Sequence, residues 1–166
     1  MNNLANQDIK TSPIWGLFQK IATRIIRKTQ CILGMVTLGS RAIIINPQNQ
    51  VLLVKHTYEP HWYIPGGGIK KGESAKACIL RELKEEVGLT TTTEPQLFGI
   101  YFHTYLGVDD YPIIYVITEY SIIDAHSAEI EQIGWFDMDN LPEMISPGTK
   151  RRLCEYFFKQ PQSETW

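Results

Sequence analysis

Cysteine is scarce in this chain of 166 residues: Cys31, Cys78 and Cys154 stand far apart. An odd, scattered set makes neither a disulfide framework nor a cysteine-based zinc site, and it suits a reducing compartment. The cytoplasm is therefore the expected location. An excess of one charge is lacking too. The chain has 16 Lys and Arg against 18 Asp and Glu, a formal net charge of −2. That balance offers a long nucleic acid no electrostatic track. No apolar run reaches the length of a membrane-spanning helix. The longest one near the N-terminus is interrupted by Lys20, Arg24, Arg27 and Lys28, which also denies it the core of a secretion signal. Internal repeats are absent. What is present is ordinary: 43% hydrophobic and 20% charged residues, values of a globular chain that excludes disorder. The length suits one domain.

The first dozen residues are polar. Ser12 and Pro13 then offer a helix start, and Ile14, Phe18, Ile21 and Ile25 follow at helical spacing with a basic opposite face. This amphipathic helix is expected to pack on the domain or on a second copy in a homodimer. Attachment to an anionic membrane surface is the less favoured reading. Residues 35–46 turn β-like, Asn46-Pro47-Gln48-Asn49 signals a turn, and residues 51–54 read as a buried strand, so the pair is expected to form a hairpin. A Gly- and aromatic-rich loop spans residues 57–72. A helix is predicted from about Ser74 to Val87, stopped by Gly88. Residues 90–95 read as a connector, and residues 97–103, 113–120 and 130–136 as strands. A last helix is predicted over residues 148–158. Interleaved strands and helices predict an α/β or α+β fold, with a mixed sheet and helices on its faces.

Residues 67–89 carry the chemistry. At 100° per residue, Leu80, Leu83 and Val87 fall within about 60° of one another, and Glu82, Glu85 and Glu86 within about 100° on the other side. Like charges at these spacings each cost a helix roughly 0.2–0.5 kcal/mol, and the helix dipole disfavours anions in a last turn. Arg81 and Lys84 offset part of that cost in the plainest reading, a solvated acidic face. A hard divalent cation such as Mg²⁺, which prefers carboxylate oxygens, would offset more. The run Pro65-Gly66-Gly67-Gly68 lets backbone approach the helix, where a carbonyl can join the ligands. Glu73 is placed to hold the loop by pairing with Arg81.

This segment resembles the Nudix box: Gly67, Glu73, Arg81, Glu82, Leu83, Glu85, Glu86, Gly88 and Leu89 fill every position of its pattern. The lead-in Trp62-Tyr63-Ile64-Pro65 and the late segment from Glu129 to Leu141 are similar as well. The resemblance implies an α/β/α sandwich around a mixed sheet. It implies hydrolysis of a diphosphate linkage in a nucleoside diphosphate joined to another group, with Mg²⁺ or Mn²⁺. By motif position Glu82, Glu85 and Glu86 become the metal ligands, joined by the carbonyl of Gly66 or Gly67. Glu82 orients or deprotonates water, Arg81 and Glu73 act in support, and Glu129, with Glu131 behind it, is the candidate late base. The chain then divides into an extension over residues 1–30, a Nudix domain over 31–160 and a tail over 161–166. Alternative readings are a nucleoside triphosphate or RNA 5′-end pyrophosphohydrolase and, less favoured, a non-catalytic ligand sensor. The expected partner is a small nucleotide-derived diphosphate.

Tyr63, Trp62, Tyr105 and His61 are the candidate substrate contacts. The lack of a proline between Pro95 and Pro112 disfavours ADP-ribose. His56, His103 and His126 read as isolated, Cys78 as a buried or half-exposed packing residue, and Arg151 and Arg152 as surface charge.

Overall fold

In the computed structural model, which describes residues 25–26, 29, 33–123 and 127–166, the apolar residues 42–45 are buried on both faces. Alternation along a strand explains this. Ala42 and Ile44 point into one core with Leu52, Val54, Ile79, Leu83 and Val87. Ile43 and Ile45 point into a second with Val51, Leu53, Ile114 and Leu153. Strand β1 (Thr37–Ile44) thus lies between two helices, α1 (Ala75–Val87) and α2 (Pro147–Phe157). The expected α/β/α layering around a mixed sheet is what forms.

Strand β1 pairs in parallel with β8 (Val108–Ile117) and antiparallel with β4 (Gly66–Gly68), while β6 (Gln96–Ile100) and β7 (His103–Tyr105) both pair antiparallel with β8. A second sheet joins β2 (Val51–His56) to β3 (Trp62–Tyr63) and to β10 (Ile130–Phe136). Strands β5 (Leu89–Thr91) and β9 (Tyr120–Ile122) form a small ladder. The hairpin expected of residues 35–54 does not form. Its turn is built, with the Asn46 side chain accepting from the backbone of Gln48 and Gln50, but β1 and β2 share only the bridge Ile45 to Val51 before entering different sheets. Buried on both faces, each needs strand partners of its own. The strand expected over residues 97–103 is likewise split in two.

The tail is tied down. Trp166 lies over Gly148, where an added Cβ would meet its indole at 2.3 Å. The Trp166 backbone N–H donates to the Phe102 carbonyl at 2.9 Å. Beneath it Arg152, which the sequence marks as surface charge, is fully buried. The hydrophobic cover of Tyr101 and Trp166 takes it out of water, and Glu155 at 2.6 Å supplies its counter-charge. Tyr101 donates to the other oxygen of Glu155 at 3.0 Å. Removing one partner of a buried pair strands the other charge, at a cost of about 3–5 kcal/mol. Glu155→Ala should lower stability by that amount in urea denaturation, and the apolar pair Arg152→Met with Glu155→Leu should recover most of it. Equal losses in both variants would contradict this account.

The helix expected to begin at Pro13 lies outside the described residues, apart from Ile25, Ile26 and Thr29, which are helical. His126 also lies outside them. No helix among the described residues is long and apolar enough to cross a membrane.

Candidate active site

Helix α1 is defined at both ends. The Ser74 side chain accepts from the Ala77 N–H, and Gly88, at φ 63°, closes the C-terminus in the left-handed region that glycine tolerates. Its buried face carries Cys78, Ile79, Leu83 and Val87, and also Glu86. Leu80, expected in the core, is instead exposed. Seven residues make nearly two full turns, so Glu86 stands almost above Ile79. It is buried with the apolar stripe rather than solvated with Glu85.

Burial dominates at Glu86. Its Oε2 accepts from the Gly66 N–H at 2.9 Å. Desolvation pushes its carboxyl up to about 8, Glu82 and Glu129 push in the same direction, and the Gly66 hydrogen bond and Arg41 oppose them. His56 lies against it, with Nε2 3.7 Å from Glu86 Oε1, too far for a hydrogen bond. Burial, reinforced by the charge of Arg41, holds that imidazole down at about 4. It is therefore neutral and gives Glu86 no counter-charge. His56, read as isolated from the sequence, belongs to the site. The signal available was its place at the end of an apolar strand.

Arg81 gathers the other carboxylates. Its Nε and Nη2 donate to the two oxygens of Glu73 at 2.7 and 3.0 Å, and Nη1 reaches Glu82 at 2.6 Å and Glu85 at 3.1 Å. Glu73 also accepts from the Lys70 N–H at 2.9 Å. The pairing of Glu73 with Arg81 is thus present, and Arg81 neutralises the acidic face. These bonds hold the Glu73 carboxyl down at about 2. A carboxyl held low in the folded protein stabilises it fully above its ordinary pKa and loses that contribution as pH falls towards the folded value. The stability gap between the protein and Glu73→Gln should therefore be constant above about pH 5 and close between about pH 4.5 and 2. Denaturation at stepped pH reads it, and a gap that widens on acidification would refute the assignment.

The glycines set how near the loop can come. Gly66 has φ +138°, and a Cβ there would sit 2.2 Å from the Ser40 carbonyl oxygen. A Cβ on Gly67 would sit 2.5 Å from Glu82 Cδ. Only glycine lets this loop, β1 and Glu82 share the space.

Among the substrate candidates, Tyr63 is half-buried, 6.2 Å from His56 and 6.3 Å from His61 between ring centres, and Arg41 lies over its ring. Burial, with the charge of Glu59, pushes its phenol up to about 12. Tyr105 stacks on His103 and acts electrostatically on Tyr63. Trp62 turns away and packs edge-on to Phe136 in the second core. Glu129 is exposed, and its charge is felt at Glu86 and Tyr58. Glu131 pairs with Lys55 at 3.3 Å. A cavity of about 280 Å³, lined by Leu97, Phe98, Val116 and Tyr156 among others, touches none of these residues.

The donor set suits a hard cation. It is oxygen-only, it includes a buried carboxyl that makes no ion pair with a charged side chain among the described residues, and glycine backbone closes over it. Among the described residues no three acidic, His or Cys side chains converge as a ready-made metal cage, because Arg81 holds Glu82 and Glu85 in its own fork.

A family model described as NUDIX domain matches residues 35–156. A Bacillus subtilis protein, named provisionally as an 8-oxo-dGTP diphosphatase, is 30% identical over 122 residues, covering 74% of this chain and 80% of that one. An ADP-ribose pyrophosphatase from Methanocaldococcus jannaschii is 31% identical over 110 residues, covering 61% and 62% respectively. Among solved structures, a MutT NUDIX hydrolase from Burkholderia pseudomallei superposes with a TM-score of 0.66 at 24% identity, over 74% of this chain and 98% of the other. At that identity the likeness speaks for the fold.

Proposed function

The chain belongs to the Nudix hydrolases, and from that premise we propose that it cleaves the diphosphate linkage of a small nucleotide-derived substrate with Mg²⁺ or Mn²⁺. The observation that carries this is Glu86, buried on the Gly66 N–H, where the charge of Arg41 does not offset the cost of burial. Glu82, Glu85 and Glu86, with the carbonyl of Gly66 or Gly67, would hold the metal. When bound, the cation neutralises phosphate oxygens and makes water a better nucleophile.

The chain's own residues do the rest. Glu82, wedged against Gly67, orients the water and takes its proton, and Glu129 is the second candidate for that task. The water oxygen bonds to one phosphorus, the bond from that phosphorus to the bridging oxygen breaks, and the second phosphate departs with its substituent. Arg81 and Glu73 fix the carboxylates, since small displacements of a reacting group are costly. Widely spaced cysteines suit work in the cytoplasm.

A hydrolysis screen tests the reading. The panel is nucleoside triphosphates, nucleotide sugars, ADP-ribose, NAD, coenzyme A and dinucleoside polyphosphates. Cleavage of one group is expected with Mg²⁺, lost in chelator and restored by added metal. Folded protein that binds no Mg²⁺ or Mn²⁺ and cleaves nothing would overturn it.

A further inference from the structure

Arg81 and Arg41 both stand beside the site, and they are engaged very differently. The guanidinium of Arg81 is consumed by Glu73, Glu82 and Glu85. Arg41 has no carboxylate partner among the described residues. Its one hydrogen bond runs from Nη1 to the Ile64 carbonyl at a long 3.3 Å, and its Cζ lies 5.8 Å from the centre of the Tyr63 ring. In register Arg41 faces Gly66, the residue whose N–H holds Glu86. It is half-buried, and its charge is felt at Glu86, His56, Tyr58 and Tyr63. A guanidinium carries five donors in a rigid fork that matches phosphate oxygens. Taking one partly out of water without a counter-ion is costly. Here, among the described residues, one donor is used and no carboxylate pairs with the charge.

We propose that Arg41, steadied by the Ile64 carbonyl and the Tyr63 ring, is a phosphate-binding residue that grips the diphosphate of a nucleotide beside the Gly66–Glu86 contact. The proposal rests on the hydrolase reading for its ligand class. The carboxylates of α1 repel a polyanion, so a bound cation can serve one part of the diphosphate and Arg41 another. Glu59, which acts on Tyr63, makes no ion pair with Arg41 among the described residues.

Calorimetric titration with α,β-methylene-ADP, whose bridge cannot be hydrolysed, tests this in Mg²⁺, with adenosine as the control ligand. Arg41→Met keeps the length and apolar stem of the side chain, and Arg41→Lys keeps its charge. Loss of a charge-assisted phosphate contact should weaken the analogue by about tenfold to a hundredfold in Arg41→Met, with part of the affinity regained in Arg41→Lys and adenosine unchanged. Arg41→Gln gives the same reading should the Met variant not fold. An analogue affinity equal to that of the parent protein, or a parallel loss of adenosine, overturns the proposal. So does a parent protein that does not bind the analogue. Because no turnover is involved, an Arg41 effect on binding in a protein that binds no Mg²⁺ or Mn²⁺ and cleaves nothing in the screen would leave the phosphate site standing and remove the hydrolase reading.

Discussion

Glu86→Gln should abolish most hydrolysis while making the cation-free protein more stable. The two effects share one origin. In the folded chain Glu86 is enclosed with Ile79, Leu83 and Val87, accepts one backbone hydrogen bond, has a neutral imidazole beside it, and is pushed up by burial despite the charge of Arg41. An amide keeps the bond from Gly66 and carries no charge to desolvate, so the folded state gains. Each kcal/mol recovered raises the melting temperature of a chain this size by about 2–4 °C. With Mg²⁺ present the order should reverse, because a ligand that binds only the folded state stabilises it by mass action, and the variant lacks a ligating oxygen anion. A bound cation contributes several kcal/mol to such a transition state, and about 1.36 kcal/mol is tenfold in rate. The loss in kcat should therefore be at least about a hundredfold. Melting with chelator and with Mg²⁺, alongside the assay, reads all three effects. A variant that is less stable in chelator would refute the burial argument, and one that keeps full activity would refute the assignment of Glu86.

Gly66→Ala and Gly67→Ala should fail in opposite ways, although they are neighbours. At Gly66 the added carbon meets backbone, 2.2 Å from the Ser40 oxygen and 2.7 Å from Arg41 Cα, in a φ of +138° that L residues rarely adopt. Neither neighbour can swing aside without unzipping β4 from β1. Strain and overpacking together should cost upwards of about 3 kcal/mol. At Gly67 the added carbon meets the Glu82 carboxyl at 2.5 Å. That group ends a flexible side chain and can move by giving up its 2.6 Å bond to Arg81. The fold should survive within about 1.5 kcal/mol, while hydrolysis drops at least about tenfold, because a displacement of an ångström at a reacting group is enough for that. Urea denaturation and the hydrolysis assay on both proteins separate the cases. A stable Gly66→Ala variant would show that the loop is less confined at β1, and an unfolded Gly67→Ala variant that Glu82 cannot move aside.

The helix carrying the glutamates was legible because its signals are local. Ser74 and Gly88 cap it, and the spacing of Glu73, Arg81 and the later glutamates lies within one segment. The burial of Glu86 was less legible. Counting Leu80 in the apolar stripe rotates the face and sends Glu86 to solvent, whereas Ile79 puts it inside. His56 and Arg152 were misread for a different reason: each packs against residues distant in sequence. His56 sits against Glu86, and Arg152 sits under Trp166 and Tyr101. For Arg152 nothing in the neighbouring sequence announces its cover, and for His56 only its place at the end of an apolar strand does. The hairpin failed similarly. Its turn chemistry was correct, but turn residues say nothing about which distant strands compete for β1 and β2.

The parallel pairing of β1 with β8 bears on how the chain emerges from a ribosome. Thr37 and Asp110 face each other across 73 residues of sequence, and Ile43 and Ile44 wait for Val116 and Ile117. The whole glutamate helix is synthesised and can close its Arg81 network while the strand beneath it still lacks its central neighbour. Such long-range closure is slow. Until it happens, an apolar strand edge is open to the wrong partner, another nascent copy included. The segment most exposed to aggregation is therefore the apolar run of β1 and not the charged site. Expression at lower temperature or with added chaperone should change the soluble yield of this protein more than any substitution among its glutamates.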